Sequence, residues 1–182
     1  MSKPLKIVLI TLVSLVVLGV VGMNFAKKQT KKHSPETIEQ YNLNGTEIEI
    51  FYCAPSKKGR TIFGEVVPYG EVWRTGANEA STFKCNESIN FGGATVPAGL
   101  YTLWTIPGKD SWKVILNSKQ YGWGVDFSQK ATREEAFDVA VVSVPVENLS
   151  SPVERFSITM DDNMNMVMQW DMVKVSVPIS KS

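Results

Sequence analysis

The stretch LYTLWTIPGKDSWKVILN, Leu100 to Asn117, decides the fold class. Two runs rich in β-branched and aromatic residues flank a short segment of Pro, Gly, Asp and Ser, which is the pattern of two strands joined by a turn. Similar runs recur from residue 45 onward, separated by turn residues such as Gly92-Gly93 and Asp161-Asp162-Asn163. The pattern predicts about nine or ten short strands.

These strands do not alternate with helical segments. Many short strands with regular turns are typical of antiparallel sheets packed face to face, with one hydrophobic core between them. We therefore predict an all-β domain over residues 45–182, an antiparallel β-sandwich with a jelly roll as one specific form.

The N-terminal region differs from the rest of the chain. Residues 7–26 are twenty uncharged, mostly apolar residues, which as a helix span roughly 30 Å, the thickness of a bilayer core. We predict an N-terminal transmembrane helix, an uncleaved anchor within residues 1–26 whose partner is the lipid bilayer, and then a polar linker over 27–44. A cleaved signal peptide is the alternative, although Val20-x-Gly22 and Asn24-x-Ala26 are poor cleavage sites.

Charge separates the stem from the domain. After residue 33 the chain has 13 basic and 18 acidic residues, a net charge of −5, so we expect no nucleic-acid partner. The β-rich remainder has the character of an exported domain. We therefore expect the N-terminus inside the cytoplasm and the domain outside it.

Histidine is almost absent from the chain. The single one, His33, lies in the predicted linker, which excludes Ser-His-Asp and Cys-His catalysis and a histidine-based zinc site in the domain. We expect no metal and no cofactor. Carboxylate catalysis needs no histidine and stays open. The candidate carboxylates are Glu65, Glu71, Glu79, Asp110, Asp126 and Asp138.

The run WRTGANEA, residues 73–80, is the densest cluster of polar chemistry. Trp73, Arg74, Asn78 and Glu79 offer stacking, a planar donor fork and several acceptors, which suits a pocket for a glycan or a small polar ligand. In a second interpretation Glu79 is a catalytic acid or base and Arg74 lowers its pKa. In a third, the run is a buried corner that satisfies backbone groups.

Two further features complete the candidate set. Trp123 stands between glycines in QYGWGVDF, so it is a candidate loop aromatic for stacking on a ligand. Cys53 and Cys85 are the only cysteines, and both fall in predicted strands. A disulfide between them and two buried free thiols are both open.

Four segments carry a resemblance to a known family: YCAPSKKGRTIFGEVVPYGEVWRTGANEAS, VPAGLYTLWTIPGKDSWKVILN, ERFSI and QWDMVKVSVPI. They resemble the bacterial domain-of-unknown-function 2911 family over about residues 41–179. The chain departs from the family pattern at Cys53-Ala54-Pro55-Ser56, where an Arg is expected before Pro55.

The resemblance implies a β-rich domain in the bacterial cell envelope and no established activity. With the predicted anchor, it favours a membrane-tethered ligand-binding or interaction module at the inner membrane, or a secreted or periplasmic domain if the segment is cleaved. The alternatives are a carboxylate-dependent hydrolase of glycans or other envelope substrates, and a purely structural envelope protein.

Overall fold

The computed structural model describes residues 3–182, and within the N-terminal helix it describes the side chains of residues 4, 10–22 and 29–33. The chain divides into two compact units, one ending at His33 and one running from Ser34 to Ser182. The first is helix α1 (Lys3–His33). The second contains strands β1 (Glu36–Leu43), β2 (Thr46–Cys53), β3 (Thr82–Cys85), β4 (Ile89–Phe91), β5 (Ala94–Val96), β6 (Gly99–Ile106), β7 (Ser111–Asn117), β8 (Asp138–Met160) and β9 (Asn165–Lys181), and a 3₁₀ turn (Glu135–Phe137).

The predicted hairpin is present and central to the sheet. Strands β6 and β7 pair antiparallel, with Ile106 opposite Lys113 and Thr102 opposite Asn117. All neighbouring strands in the order β1-β2-β3-β6-β7-β8-β9-β4-β5 are antiparallel. The antiparallel all-β prediction is therefore confirmed.

The nine strands form one open sheet rather than the two sheets of the predicted sandwich. The reason lies in β8 and β9, which are 23 and 17 residues long rather than the short strands predicted. Their pairing shifts register between Asn148 and Val153 and again between Val153 and Ser157. Such irregularities bend a strand without ending it. The sheet therefore stays continuous, while Phe83 of β3 and Phe91 of β4, five places apart in the strand order, still pack with ring centroids 5.5 Å apart.

The N-terminal region also differs from its prediction. Helix α1 continues past residue 26 to His33, and residues 36–43 of the predicted linker form β1. The predicted transmembrane helix lies partly outside the described residues, since the side chains at 7–9 and 23–26 are not among them. Within the described residues, no helix has the length and apolar character needed to cross a membrane.

Strand β1 exists because a tight turn joins it to β2. Asn44 and Gly45 have φ values of 51° and 88°, and Leu43 pairs with Thr46 across them. Two consecutive residues with positive φ make the turn whose twist matches a two-stranded hairpin, and Asn-Gly is its preferred sequence. Because of this turn and strand, the β unit begins at Ser34, whereas the sequence pattern predicted a start at residue 45.

The segment RTIFGEVV, residues 60–67, has the β-branched and aromatic composition that predicts a strand, but it is irregular instead. Residues 61–67 fold as turns, with the Gly64 amide donating to the Val67 carbonyl and the Val67 amide to the Ile62 carbonyl. The turns bring the Phe63 ring against Trp73 and Trp112, at centroid distances of 6.4 and 5.0 Å. The connection between β2 and β3 thus closes one end of the core with aromatic side chains.

Candidate functional site

The predicted site, residues 73–80, is a corner attached at both ends to strand β6. Trp73 exchanges two backbone hydrogen bonds with Thr105, at 2.7 and 2.9 Å. On the far side of the corner, the Leu103 amide donates to the Ser81 carbonyl at 2.8 Å, and the Ser81 amide donates to the Arg74 carbonyl at 3.2 Å. Residues 74–80 are therefore held against a rigid strand rather than forming a mobile loop.

Three positive φ values make the corner tight. They belong to Thr75 (55°), Gly76 (155°) and Asn78 (59°). A β-branched residue in this region costs about 1–3 kcal/mol and persists only where its surroundings impose it. Here the buried Thr75 hydroxyl donates to Thr105 Oγ1 at 3.2 Å, and the Ser81 hydroxyl donates to the Thr75 carbonyl at 2.8 Å.

The Trp73 side chain packs against the core and is still partly exposed. Its ring stacks on Trp170 with centroids 6.0 Å apart and an interplanar angle of 18°, and it meets the Phe156 ring edge-on at 5.0 Å. Its indole N–H donates to the Gly76 carbonyl at 3.0 Å. Because the ring is only half-buried, it presents a fixed aromatic surface at the end of the sheet.

Arg74 is held by one hydrogen bond. Its Nη1 donates to the Trp123 carbonyl at 3.3 Å. Burial lowers the pKa of the guanidinium, and the nearby Cys53 and Glu79 oppose this shift. An arginine stays protonated at any working pH, so the group remains a cation with donors to spare.

Asn78 and Glu79 turn toward Cys53. The Cys53 thiol donates to Glu79 Oε2 at 3.5 Å, and the Asn78 amide nitrogen donates to the Ser34 carbonyl at 3.3 Å. Burial raises the pKa of the Cys53 thiol, Asn78 partly offsets this, and Glu79 raises it further. A buried thiol whose pKa is raised is a poor nucleophile, so this arrangement does not favour nucleophilic catalysis by Cys53.

A cleft of about 930 Å³ opens beside the corner. Most of its wall comes from the β2–β3 connection, and residues 125 and 129–131 of the β7–β8 connection, Trp170 of β9 and Ser34 complete it. Trp73 and Arg74 line this cleft, whereas Asn78, Glu79 and Trp123 are not among the described lining residues. The structure therefore divides the predicted cluster into two residues on the cleft and two over the thiol.

Trp123 contributes through its backbone. Its carbonyl orients Arg74, and its half-buried side chain lies outside the wall of the cleft. The next residue, Gly124, packs so closely that a Cβ there would lie 2.9 Å from the Ala80 Cβ. Gly124 thus allows close packing of this loop on the corner, whereas Gly122 is exposed and a Cβ there would meet nothing within 4 Å.

Both cysteines are free and buried. In the β2–β3 pairing Cys85 lies opposite Ile48, five residues before Cys53. Five residues of extended strand separate the two positions by roughly 17 Å, whereas a disulfide needs Cα atoms within about 7 Å. The open choice between a disulfide and two thiols is therefore resolved in favour of the thiols.

Sequence reasoning did not single out Arg60 and Lys130 as site residues, yet both line the cleft. Each stands in an ordinary polar loop, and 70 positions separate them in the chain. Only the closeness of the two connections in space brings them together.

Among the described residues, no group of three or more His, Cys, Asp or Glu side chains is arranged to hold a metal ion.

Fold and site together define an all-β domain with one open antiparallel sheet and a cleft at the end where two long connections meet. The chain belongs to the family described as "Protein of unknown function (DUF2911)", which matches residues 34–179. This confirms the resemblance, and the match begins where the β unit begins. No curated protein and no solved structure matches the chain.

Proposed function

We propose that the β domain binds a small polar ligand in the cleft beside residues 73–77. The observation that carries this proposal is the presence of Trp73 and Arg74 on the wall of one cleft of about 930 Å³. Ligand sites are typically clefts of about 300–1,000 Å³, mostly apolar and with a few polar groups that orient the ligand. A half-buried indole beside a guanidinium with unused donors has this composition.

The rigidity of the corner supports binding. The backbone on both sides of Arg74 is hydrogen-bonded, through Trp73 to β6 and through Ser81 to Arg74 itself. A side chain held in this way loses little conformational entropy when a ligand arrives. Asn78 and Glu79 contribute from below, where they hold the corner over Cys53. The structural and binding interpretations of this run thus apply to different residues within it.

The geometry gives less support to a carboxylate-dependent hydrolase. That chemistry requires two carboxylates about 5–9.5 Å apart across the scissile bond. Among the described residues that line the cleft, Glu71 is the single carboxylate, and Glu79 accepts a hydrogen bond from Cys53. Binding without catalysis is therefore the better-supported function.

Filling the cleft with a bulky side chain tests the proposed ligand binding. The full chain is screened by thermal shift against a panel of glycans and metabolites, and each hit is checked by ligand-observed NMR. Val66 lines the cleft and is 42% exposed, so Val66→Trp should fill part of the cleft and abolish the hits. Val139, 36% exposed on β8, provides the control Val139→Trp, which should bind normally. Hits that survive Val66→Trp, or a panel without hits, would refute a ligand site here.

We further propose that the domain works outside the cytoplasm of a bacterium. The support is the uncharged run at residues 7–26, which would hold the domain at the inner membrane or direct its export. Cell fractionation with protease accessibility tests the location, and the mass of the mature chain distinguishes an anchor from a cleaved signal peptide. A domain that remains protected inside intact spheroplasts would contradict this location.

A further inference from the structure

The wall of the cleft carries more positive than negative charge, although the domain around it is acidic. Arg60, Arg74 and Lys130 line it together with Glu71. The chain after residue 33 has a net charge of −5, from 13 basic and 18 acidic residues. A positive cleft in a negative domain is a local feature that attracts an anion to this place rather than to the surface in general.

Among the described residues, the cations of the cleft form no salt bridge, although Glu79 lies near Arg74. Within the part of the chain that the structure describes, ion pairs engage other cations, namely Lys57, Lys119, Arg133, Lys174 and Lys181. Arg60, Arg74 and Lys130 take part in none of these pairs. Arg60 instead donates to the carbonyls of Ser56 and Lys57, at 2.7 and 3.0 Å, which fixes its guanidinium without cancelling its charge.

Arg74 has the best geometry to bind an anionic group. It uses one donor on the Trp123 carbonyl and lines the cleft with the rest of its side chain. A guanidinium has five N–H donors in a planar fork that matches the oxygens of a carboxylate or a phosphate. Because the group is half-buried, its attraction for an anion is screened less than that of an exposed lysine.

Most of the rest of the wall is apolar, and Ser34 and Gln129 are its uncharged polar side chains. The half-buried Trp73, stacked on the buried Trp170, lies on it together with valine side chains at 66, 67, 72 and 125. An inorganic ion would leave this surface in contact with water, whereas an organic anion would cover it. Burial of apolar area contributes about 25 cal/mol per Å², so an apolar group on the ligand adds affinity.

We propose that the cleft binds a small organic anion, a carboxylate or a phosphate monoester attached to an apolar group. Arg74 binds the anionic oxygens, Arg60 and Lys130 add positive charge, and the apolar group lies against Trp73 and Val66. This inference rests on the proposed function and adds the chemical class of the ligand.

A matched series of ligands with one phenyl ring tests the charge. The full chain is titrated by ligand-observed NMR with phenylacetate, phenyl phosphate, phenylacetamide and phenethylamine, and separately with inorganic phosphate. We expect at least one aromatic anion to bind about tenfold or more tightly than the neutral amide. The reason is that a hydrogen bond to a charged group raises the affinity by about that factor. The two anions distinguish a carboxylate from a phosphate ligand, and inorganic phosphate should bind more weakly than phenyl phosphate.

Substitutions assign the effect to the cleft. Arg74→Met should weaken the preferred anion about tenfold or more and leave the amide unchanged. Lys130→Met, at an exposed residue, should weaken it less and serves as a second variant if Arg74→Met unfolds. Arg155→Met makes the same change at an exposed arginine outside the cleft and should have no effect.

The outcomes separate the two proposals. If the amide or the amine binds as tightly as the anions, or if neither Arg74→Met nor Lys130→Met weakens the anion, the anionic class is wrong and the cleft can still be a site for neutral ligands. If neither anion binds, the anionic class is also wrong. If Val66→Trp leaves every observed binding event intact, the proposed function itself fails.

Discussion

Replacing Gly76 by alanine should destabilise the domain through a specific collision. Gly76 has a φ of 155°, and a Cβ there would lie 2.9 Å from the Cys53 carbonyl oxygen and 3.1 Å from Ser81 Oγ. The backbone strain of a non-glycine residue at positive φ costs about 1–2 kcal/mol, and the overlap adds about 1–3 kcal/mol. We therefore expect Gly76→Ala to lower the free energy of unfolding by about 2–5 kcal/mol.

Gly93 provides the matched control. It also has a positive φ, 97°, but a Cβ there meets nothing within 4 Å. Gly93→Ala should therefore cost only the strain, about 1–2 kcal/mol. Equilibrium urea unfolding of the full chain, followed by tryptophan fluorescence, measures both variants. If Gly76→Ala costs no more than Gly93→Ala, the corner is not packed against Cys53 as the structure has it.

Two further predictions concern the thiols and a turn. Because Cys53 and Cys85 are free and buried, a thiol reagent should label neither in the native protein and both after unfolding without reductant; an unlabelled unfolded chain would mean a disulfide. The Asn165 amide, with the Asn163 and Asn165 backbone N–H groups, lowers the pKa of the Asp161 carboxyl in the folded state. Its stabilising contribution is therefore present above the unfolded pKa of about 3.9 and lost as the pH falls through the lower folded value. Asp161→Asn removes this carboxyl, so below about pH 4 the free energy of unfolding should fall less in the variant than in the unchanged protein. An unchanged pH profile would contradict this role.

Parts of the fold were predictable because their causes are local. The β6–β7 hairpin follows from two apolar runs around a Pro-Gly turn, and Trp104, Trp112 and Trp170 are buried as strand residues of their type should be. The turn at Asn44-Gly45 is equally local, because this dipeptide favours a strand on each side and therefore β1 within the predicted linker.

Other parts depend on contacts that no local pattern contains. Breaks in alternation divided β8 and β9 into short strands, whereas pairing carries each strand through its irregular positions. Residues 61–67 have the composition of a strand, but they fold as turns that place the Phe63 ring against Trp112 and Trp73. The single sheet in place of a sandwich results from the continuous pairing of β8 and β9.

The sequence alone determined which stretches favour strands, through alternating residues, and which favour turns, through Gly, Asn and Asp. It also determined that the domain has no histidine from which to build a catalytic triad. It also marked residues 73–80 as unusual. Only the tertiary structure decided how that run divides, with Trp73 and Arg74 on the cleft and Asn78 and Glu79 over Cys53. The physical reason is that turn and strand preferences act between neighbours in the chain, whereas the direction of each side chain in a corner depends on the strand against which the corner is held.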